Sequence, residues 1–184
     1  IRNQGGNHIN WFHNMEGVRV VAVCDPDRTY LEREKKSFGD RNERVDTYVD
    51  YRKMLEDESI NVIVTASPNH WHALVTVWGC QAGKDVYVEK PIAHTIWEGQ
   101  QLIAASKQYG CVVQHGTQRR SESTWKRAVE RARSGIIGDI YIQLTQAPTH
   151  FRLVGHLGEN AGTDQSAIPT ACTAVECRFI RVVL

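Results

Sequence analysis

The chain has 184 residues, 41% of them hydrophobic and 23% charged, with a formal net charge of +1 at pH 7. Those values describe an ordinary soluble globular protein of one domain, or one domain and part of another. With no basic block, no Lys/Arg stripe and no apolar run of membrane-spanning length, they argue against a nucleic-acid partner and a membrane partner. Five cysteines (Cys24, Cys80, Cys111, Cys172, Cys177) without any C-x-x-C spacing read as buried thiols rather than a disulfide framework or a zinc site.

In chain order, Gly5-Gly6 opens a helix, and residues 17–24 form a β-branched apolar strand ended by Asp25-Pro26-Asp27. An amphipathic helix over 28–38 stops near Gly39. A short strand at 46–49 and a helical turn at 51–57 precede a continuous buried strand over 60–66. The pattern predicts a helix over 70–81, a stop at residues 82–85, and a strand over 86–88. A helix over 95–109 ends at Gly110, and a short strand covers 111–114. Strand and helix alternating through short connections specify a parallel sheet with helices on both faces, the α/β class. A charged helix follows over 122–133, and Phe179 to Leu184 has strand character.

In such a sheet ligands bind at the C-terminal ends of the strands. Two polar loops fall there: Ser67-Pro68-Asn69-His70-Trp71-His72, and Glu89-Lys90-Pro91 at the end of an apolar strand. Lys90 is a candidate proton carrier, because the pKa of an ammonium falls readily on desolvation, and Glu89 can orient it or compensate its charge. Read alone, the tripeptide also fits a surface ion pair before a turn proline. Gly5-Gly6 followed 19 or 20 residues later by Asp25 has the spacing of a dinucleotide fingerprint, whose turn presents backbone N–H groups to a pyrophosphate. The strand that should precede the turn is missing, and two adjacent glycines also fit a plain turn.

Cys24-Asp25-Pro26-Asp27, the 67–72 loop, the segment 83–91 and Gln114-His115-Gly116-Thr117-Gln118 together resemble the Gfo/Idh/MocA oxidoreductases over residues 2 to 143. The resemblance implies a Rossmann-type doubly wound domain over 1–117 and the start of a C-terminal α/β domain over 118–184. It implies NAD as cofactor, with Gly5 and Gly6 in the phosphate turn, Asp25 on the adenosine ribose, and Ser67, Pro68, Asn69 and His72 lining the cleft. Glu89 and Lys90 would sit at the nicotinamide and the substrate, Lys90 as the catalytic residue, and Pro91 occupies a position of unusual peptide geometry. It further implies a sugar, cyclitol or polyol substrate, homo-oligomeric full-length relatives, and a cytoplasmic setting, or a periplasmic one if an export signal preceded Ile1. Within the family the alternative activity is an NAD-dependent glycosidase; outside it, a non-catalytic nucleotide-binding remnant. NAD is favoured over NADP because the Asp25 carboxylate would repel a 2′-phosphate, with Arg28 as the counter-argument.

The chain departs from the family in beginning inside the glycine turn, in stopping early in the second domain, and in lacking the downstream Asp-x-x-x-His that partners the lysine. Residues 150 to 184 match nothing in it. A truncated member is therefore expected, a poor enzyme and a marginal fold by itself. Loss of the first strand would leave a gap of roughly 9 to 10 Å between the strand ending at Asp25 and that ending at Ala66. Filling of the gap by residues 179–184 is the less favoured outcome. His70 and His72 point to different faces of a helical turn and form no metal site. Trp71, Trp78 and Trp97 fall on apolar helix patterns and read as core or helix-packing aromatics. The charges from Arg119 to Arg133 read as a solvated face, with a phosphate contact from Arg119 less favoured, and Ser67 lacks the setting of an activated nucleophile.

Overall fold

The computed structural model describes residues 3–136, 138 and 180–183. Chain contacts divide it into two compact units, Ile1–Thr117 with Glu176–Leu184, and Gln118–Val175. In the first, α1 (Gln4–His13), β1 (Val18–Cys24), α2 (Arg28–Gly39), β2 (Asp46–Tyr48), α3 (Tyr51–Leu55) and β3 (Val62–Thr65) come in turn. A 3-10 turn (Asn69–Trp71) then leads into α4 (His72–Gln81), followed by β4 (Asp85–Glu89), α5 (Ile96–Tyr109), β5 (Val113–Gly116) and, from the far end of the sequence, β6 (Ile180–Val183). The second unit holds a 3-10 turn (Gln118–Ser121) and α6 (Ser123–Arg133), which buries no residue and is the solvated helix its charges predict.

All pairings in the sheet are parallel, in the order β2-β1-β6-β3-β4-β5. Among the described residues no strand precedes α1, as expected, yet the expected gap is absent. β6 lies in it, pairing Val18 with Ile180 and Val20 with Val182 on one side, and Val62 with Val182 on the other. The gapped sheet is thus corrected to a continuous one. The reason is elementary: β1 and β3 each present a row of unpaired N–H and C=O groups, and leaving such groups buried costs about 1 to 3 kcal/mol each. The rest of the tail, with Cys172 and Cys177, lies outside the described residues.

Both faces of the sheet are covered, as its continuous apolar strands require. One core gathers Ala22, Met54, Ile60, Ile63, Cys80, Val86 and Val88; the other gathers Ile9, Val20, Val23, Leu31, Phe38 and Val64. Val20 and Ala22, two apart, face opposite cores because the β1–β6 register shifts between them, which adds one residue to the alternation. Local chemistry sets the helix ends. The Asp27 carboxylate accepts from the Thr29 N–H at 2.9 Å at the start of α2. Thr95 and Glu98 form a reciprocal capping box on α5, and Gly110 ends that helix at φ 66°, a conformation that favours glycine. The expected helix over 70–81 is a 3-10 turn followed by α4, and the expected strand over 111–114 runs two residues later.

Two further expectations need correction. Trp71 and Trp97 are 43% and 66% exposed, so neither is a core residue; Trp78 alone of the three packs inward, stacked on Tyr51. Cys24, Cys80 and Cys111 are free thiols, the last two buried, and burial pushes the Cys80 thiol up to about 12, which keeps it inert. No helix among the described residues is long and apolar enough to cross a membrane.

Candidate functional site

Because every strand runs the same way, Asp25, Ser67 and Glu89-Lys90 all lie at one edge of the sheet, at or just past the C-terminal ends of β1, β3 and β4. Asp25 is buried, its N–H bonded to the Tyr48 carbonyl and its Oδ1 accepting the Asp27 N–H at 2.9 Å. Gly5 and Gly6 are the second and third residues of α1, within its first turn. Asn3 caps that helix without a side-chain hydrogen bond, and no acid stands in the first turn. A Cβ on Gly6 would meet nothing within 4 Å, so this glycine leaves open space on the protein side.

Ser67 follows β3, its hydroxyl 3.0 Å from Thr65 Oγ1, while Pro68 and Asn69 are exposed beyond it. His72 is different in kind. Its ring is 1% exposed, with Nδ1 2.6 Å from the Pro91 carbonyl oxygen and Nε2 2.8 Å from the Ser67 carbonyl oxygen. Both partners are carbonyl oxygens, so a ring nitrogen that carries hydrogen donates to the one it faces. His72 therefore links the two loops from within. His70, two residues earlier, is exposed, so the pair does not converge on an ion, and among the described residues no cluster of three His, Cys, Asp or Glu could hold a metal.

Glu89 and Lys90 separate sharply. Lys90 is exposed, whereas Glu89 is 5% exposed and its carboxylate is filled from three directions. Oε1 accepts from Gln4 Nε2 at 3.1 Å and from His8 Nε2 at 2.9 Å; Oε2 accepts the Lys90 backbone N–H at 3.1 Å. The Lys90–Pro91 peptide is cis. Gly116, the register partner of Glu89 on β5, packs so closely that a Cβ there would lie 3.2 Å from Glu89 Cα and 3.2 Å from its Cδ. Burial lowers the His8 imidazole below its ordinary value, against the pull of the Glu89 charge. The neutral ring then donates through Nε2, which leaves Nδ1 buried without a partner among the described residues.

Gln4 and His8 are functional neighbours that the sequence reading missed. They lie 85 and 81 residues from Glu89, and only the fold brings α1 over the end of β4. The available signal was their i, i+4 spacing, which puts both on one helix face.

Comparison with known proteins agrees with this fold. The NAD-binding Rossmann fold model of the GFO_IDH_MocA oxidoreductase family matches residues 3–117. A glycosyl hydrolase family 109 protein of Shewanella putrefaciens is 25% identical over 147 residues, which cover 76% of this chain and 32% of the relative. The structure of myo-inositol 2-dehydrogenase from Lactobacillus plantarum matches at 28% identity with a TM-score of 0.66, covering 77% of this chain and 41% of its own. That of scyllo-inositol dehydrogenase from Lactobacillus casei, with bound NAD(H) and scyllo-inositol, has a TM-score of 0.67 at 23% identity over 77% and 41%, a likeness of fold. The chain therefore spans about a third of the curated relative and about two fifths of the solved ones.

Proposed function

The chain belongs to the GFO_IDH_MocA oxidoreductase family, and from that premise we propose that it contributes the dinucleotide site and the proton-handling lysine of hydride transfer between NAD and a sugar, cyclitol or related polyol. The observation that carries this reading is the segregation of Glu89 from Lys90: at the end of β4 a buried carboxylate is consumed by internal bonds, while the adjoining ammonium is left exposed at the ligand-binding edge. The residues present suit a dinucleotide. The N-terminus of α1, without a side-chain cap and with Gly5 and Gly6 in its first turn, suits a pyrophosphate, and Asp25 after β1 is assigned the ribose. Asp25 would accept hydrogen bonds from ribose hydroxyls and disfavour a 2′-phosphate, which selects NAD over NADP. Ser67, Pro68 and Asn69 would line the cleft at the end of β3.

The nicotinamide, when bound, supplies the hydride acceptor. The chain supplies the proton chemistry: Lys90 Nζ takes the proton of the substrate hydroxyl as the carbonyl forms and returns it in the reverse direction. A second domain starting near residue 118 would select the substrate. Titration of NAD and NADP, followed by NADH formation over a panel of sugars and cyclitols, tests the reading. Lys90→Ala is expected to lower turnover by about 10²- to 10⁴-fold while NAD affinity changes far less; equal loss of both would reduce Lys90 to a cofactor anchor.

The similarity to glycosyl hydrolase family 109 proteins favours a second reading, in which transient oxidation acidifies a neighbouring carbon and allows elimination of a glycosidic bond. There the hydride returns to the sugar, so glycoside cleavage without net NADH formation distinguishes it. NAD binding with neither outcome over both panels would leave a nucleotide-binding module.

A further inference from the structure

Lys90 projects from a segment that is gripped on both sides by buried imidazoles, and neither imidazole faces solvent. On one side His8, 1% exposed on α1, donates to the Glu89 carboxylate, whose other oxygen takes the Lys90 amide hydrogen. On the other side His72, also 1% exposed and at the start of α4, contacts the Pro91 carbonyl oxygen at 2.6 Å. We infer that His8 and His72 are the positioning residues of Lys90: together they fix the backbone immediately before and after it, so that only its side chain is left to move. This deepens the proposed function and depends on that reading only for the chemistry assigned to Lys90.

The donor arithmetic supports the inference. Three donors, Gln4 Nε2, His8 Nε2 and the Lys90 N–H, converge on the two oxygens of one carboxylate, two on Oε1 and one on Oε2. An acceptor is thus needed on both sides, which an ionised carboxylate provides and a neutral amide in the same orientation does not. Each oxygen ties a different element, α1 through Oε1 and the lysine backbone through Oε2, so a displacement of α1 is passed directly to the lysine. Gly116 closes the remaining approach to the carboxyl carbon, with no room for a side chain. His72 repeats the arrangement with main-chain acceptors: one ring nitrogen reaches the loop after β3 at Ser67, and the other reaches the loop after β4 at Pro91. Through Glu89 the first tie reaches the Lys90 N–H, and through His72 the second reaches the Pro91 carbonyl oxygen, backbone atoms within one residue of Lys90, the span over which a side chain's point of departure is set.

Substitutions that keep one ring nitrogen at a time test this in the chain as it stands, by amide hydrogen exchange resolved at Lys90 and along β4. Gln reproduces the reach of Nε2, and Asn that of Nδ1. His8→Gln keeps the donor to Glu89, whereas His8→Leu fills the space without it. His72→Asn keeps the link to Pro91, whereas His72→Gln keeps only the link to Ser67. A hydrogen bond to a charged group contributes about 1.5 to 3 kcal/mol, so His8→Leu is expected to speed exchange at Lys90 by about 10- to 150-fold. His72→Gln is expected to speed it by about fivefold or more, on the scale of a neutral hydrogen bond. His8→Gln and His72→Asn should remain within about threefold of the parent, and exchange at Val86 to Val88 should be unchanged in all four. Loss of protection spread evenly over β4, no loss at Lys90, or failure of the donor-keeping variants to rescue would each overturn the assignment. NAD affinity of the same proteins, measured separately, bears on the cofactor reading and not on this one.

Discussion

Gly116→Ala probes the contact on which the geometry of Glu89 rests. The added methyl carbon would lie 3.0 Å from the Tyr87 hydroxyl oxygen, 3.2 Å from Glu89 Cα and 3.2 Å from Glu89 Cδ. Carbon atoms in good contact sit about 3.5 to 4.0 Å apart, so relief requires movement of roughly 0.3 Å or more, and one of the obstructing atoms is backbone in the adjoining strand. Overpacking of this kind costs about 1 to 3 kcal/mol. Replacing glycine by alanine returns about 0.4 to 1 kcal/mol by restricting the unfolded chain, which leaves a net loss of up to about 2.5 kcal/mol. Gly99→Ala in α5 is the control, because its Cβ would meet nothing within 4 Å. There the same replacement should stabilise by about 0.5 to 1 kcal/mol. Urea titrations at constant m give both values. If Gly116→Ala proves as stabilising as Gly99→Ala, β5 does not press on the Glu89 carboxyl group, and the close packing described around it is wrong.

Three other outcomes follow from the same coordinates. Val182→Pro removes an N–H from the middle of a central strand and should lower stability by about 3 kcal/mol or more, read from the shift in urea midpoint. Thr95→Ala breaks the α5 capping box and should cost about 0.5 to 2 kcal/mol in the same assay, with no change in NAD affinity. The folded-state pKa of His8 lies below its ordinary 6.5, so between those two values the unfolded chain binds more protons than the folded one. Its contribution is therefore present in full above pH 6.5 and declines as pH falls below it. The difference in stability between the parent and His8→Gln, measured from pH 8 to pH 5, should show that decline, and a difference independent of pH would contradict the burial of the ring.

What the sequence discloses is what its neighbours enforce. The runs that became β3 and β4 are legible because a strand covered on both faces must be apolar at every position, and Gly110 is legible because a left-handed residue must end the helix before it. Lys90 stands out because a polar residue directly after such a strand lies at the ligand-binding edge. Partnership over distance leaves no such trace. Nothing near Glu89 announces Gln4 or His8, and nothing in the Ser67 loop announces that His72 turns inward to hold Pro91. Trp97 fails for a related reason: apolar residues mark a helix as amphipathic, but which of them faces the sheet depends on the helix rotation, and this ring lies 66% exposed. The strand character of the last residues is readable, yet a four-residue strand carries no address of its own. Its place is set by the unpaired edges of β1 and β3.

That placement has a kinetic side. Val18 and Ile180 are register partners 162 positions apart, and between them lie all the other described strands and every described helix but α1. Local and mid-range pairings such as β3 with β4 close over about 20 residues, while closure of the longest loop bears the largest entropy cost. The sheet would then assemble as two halves, β2-β1 and β3-β4-β5, joined last by the strand between them. Until it arrives, each half presents an open edge to any other chain with a strand to offer. The molecule's most exposed moment in folding is thus set by four residues at the centre of its finished sheet.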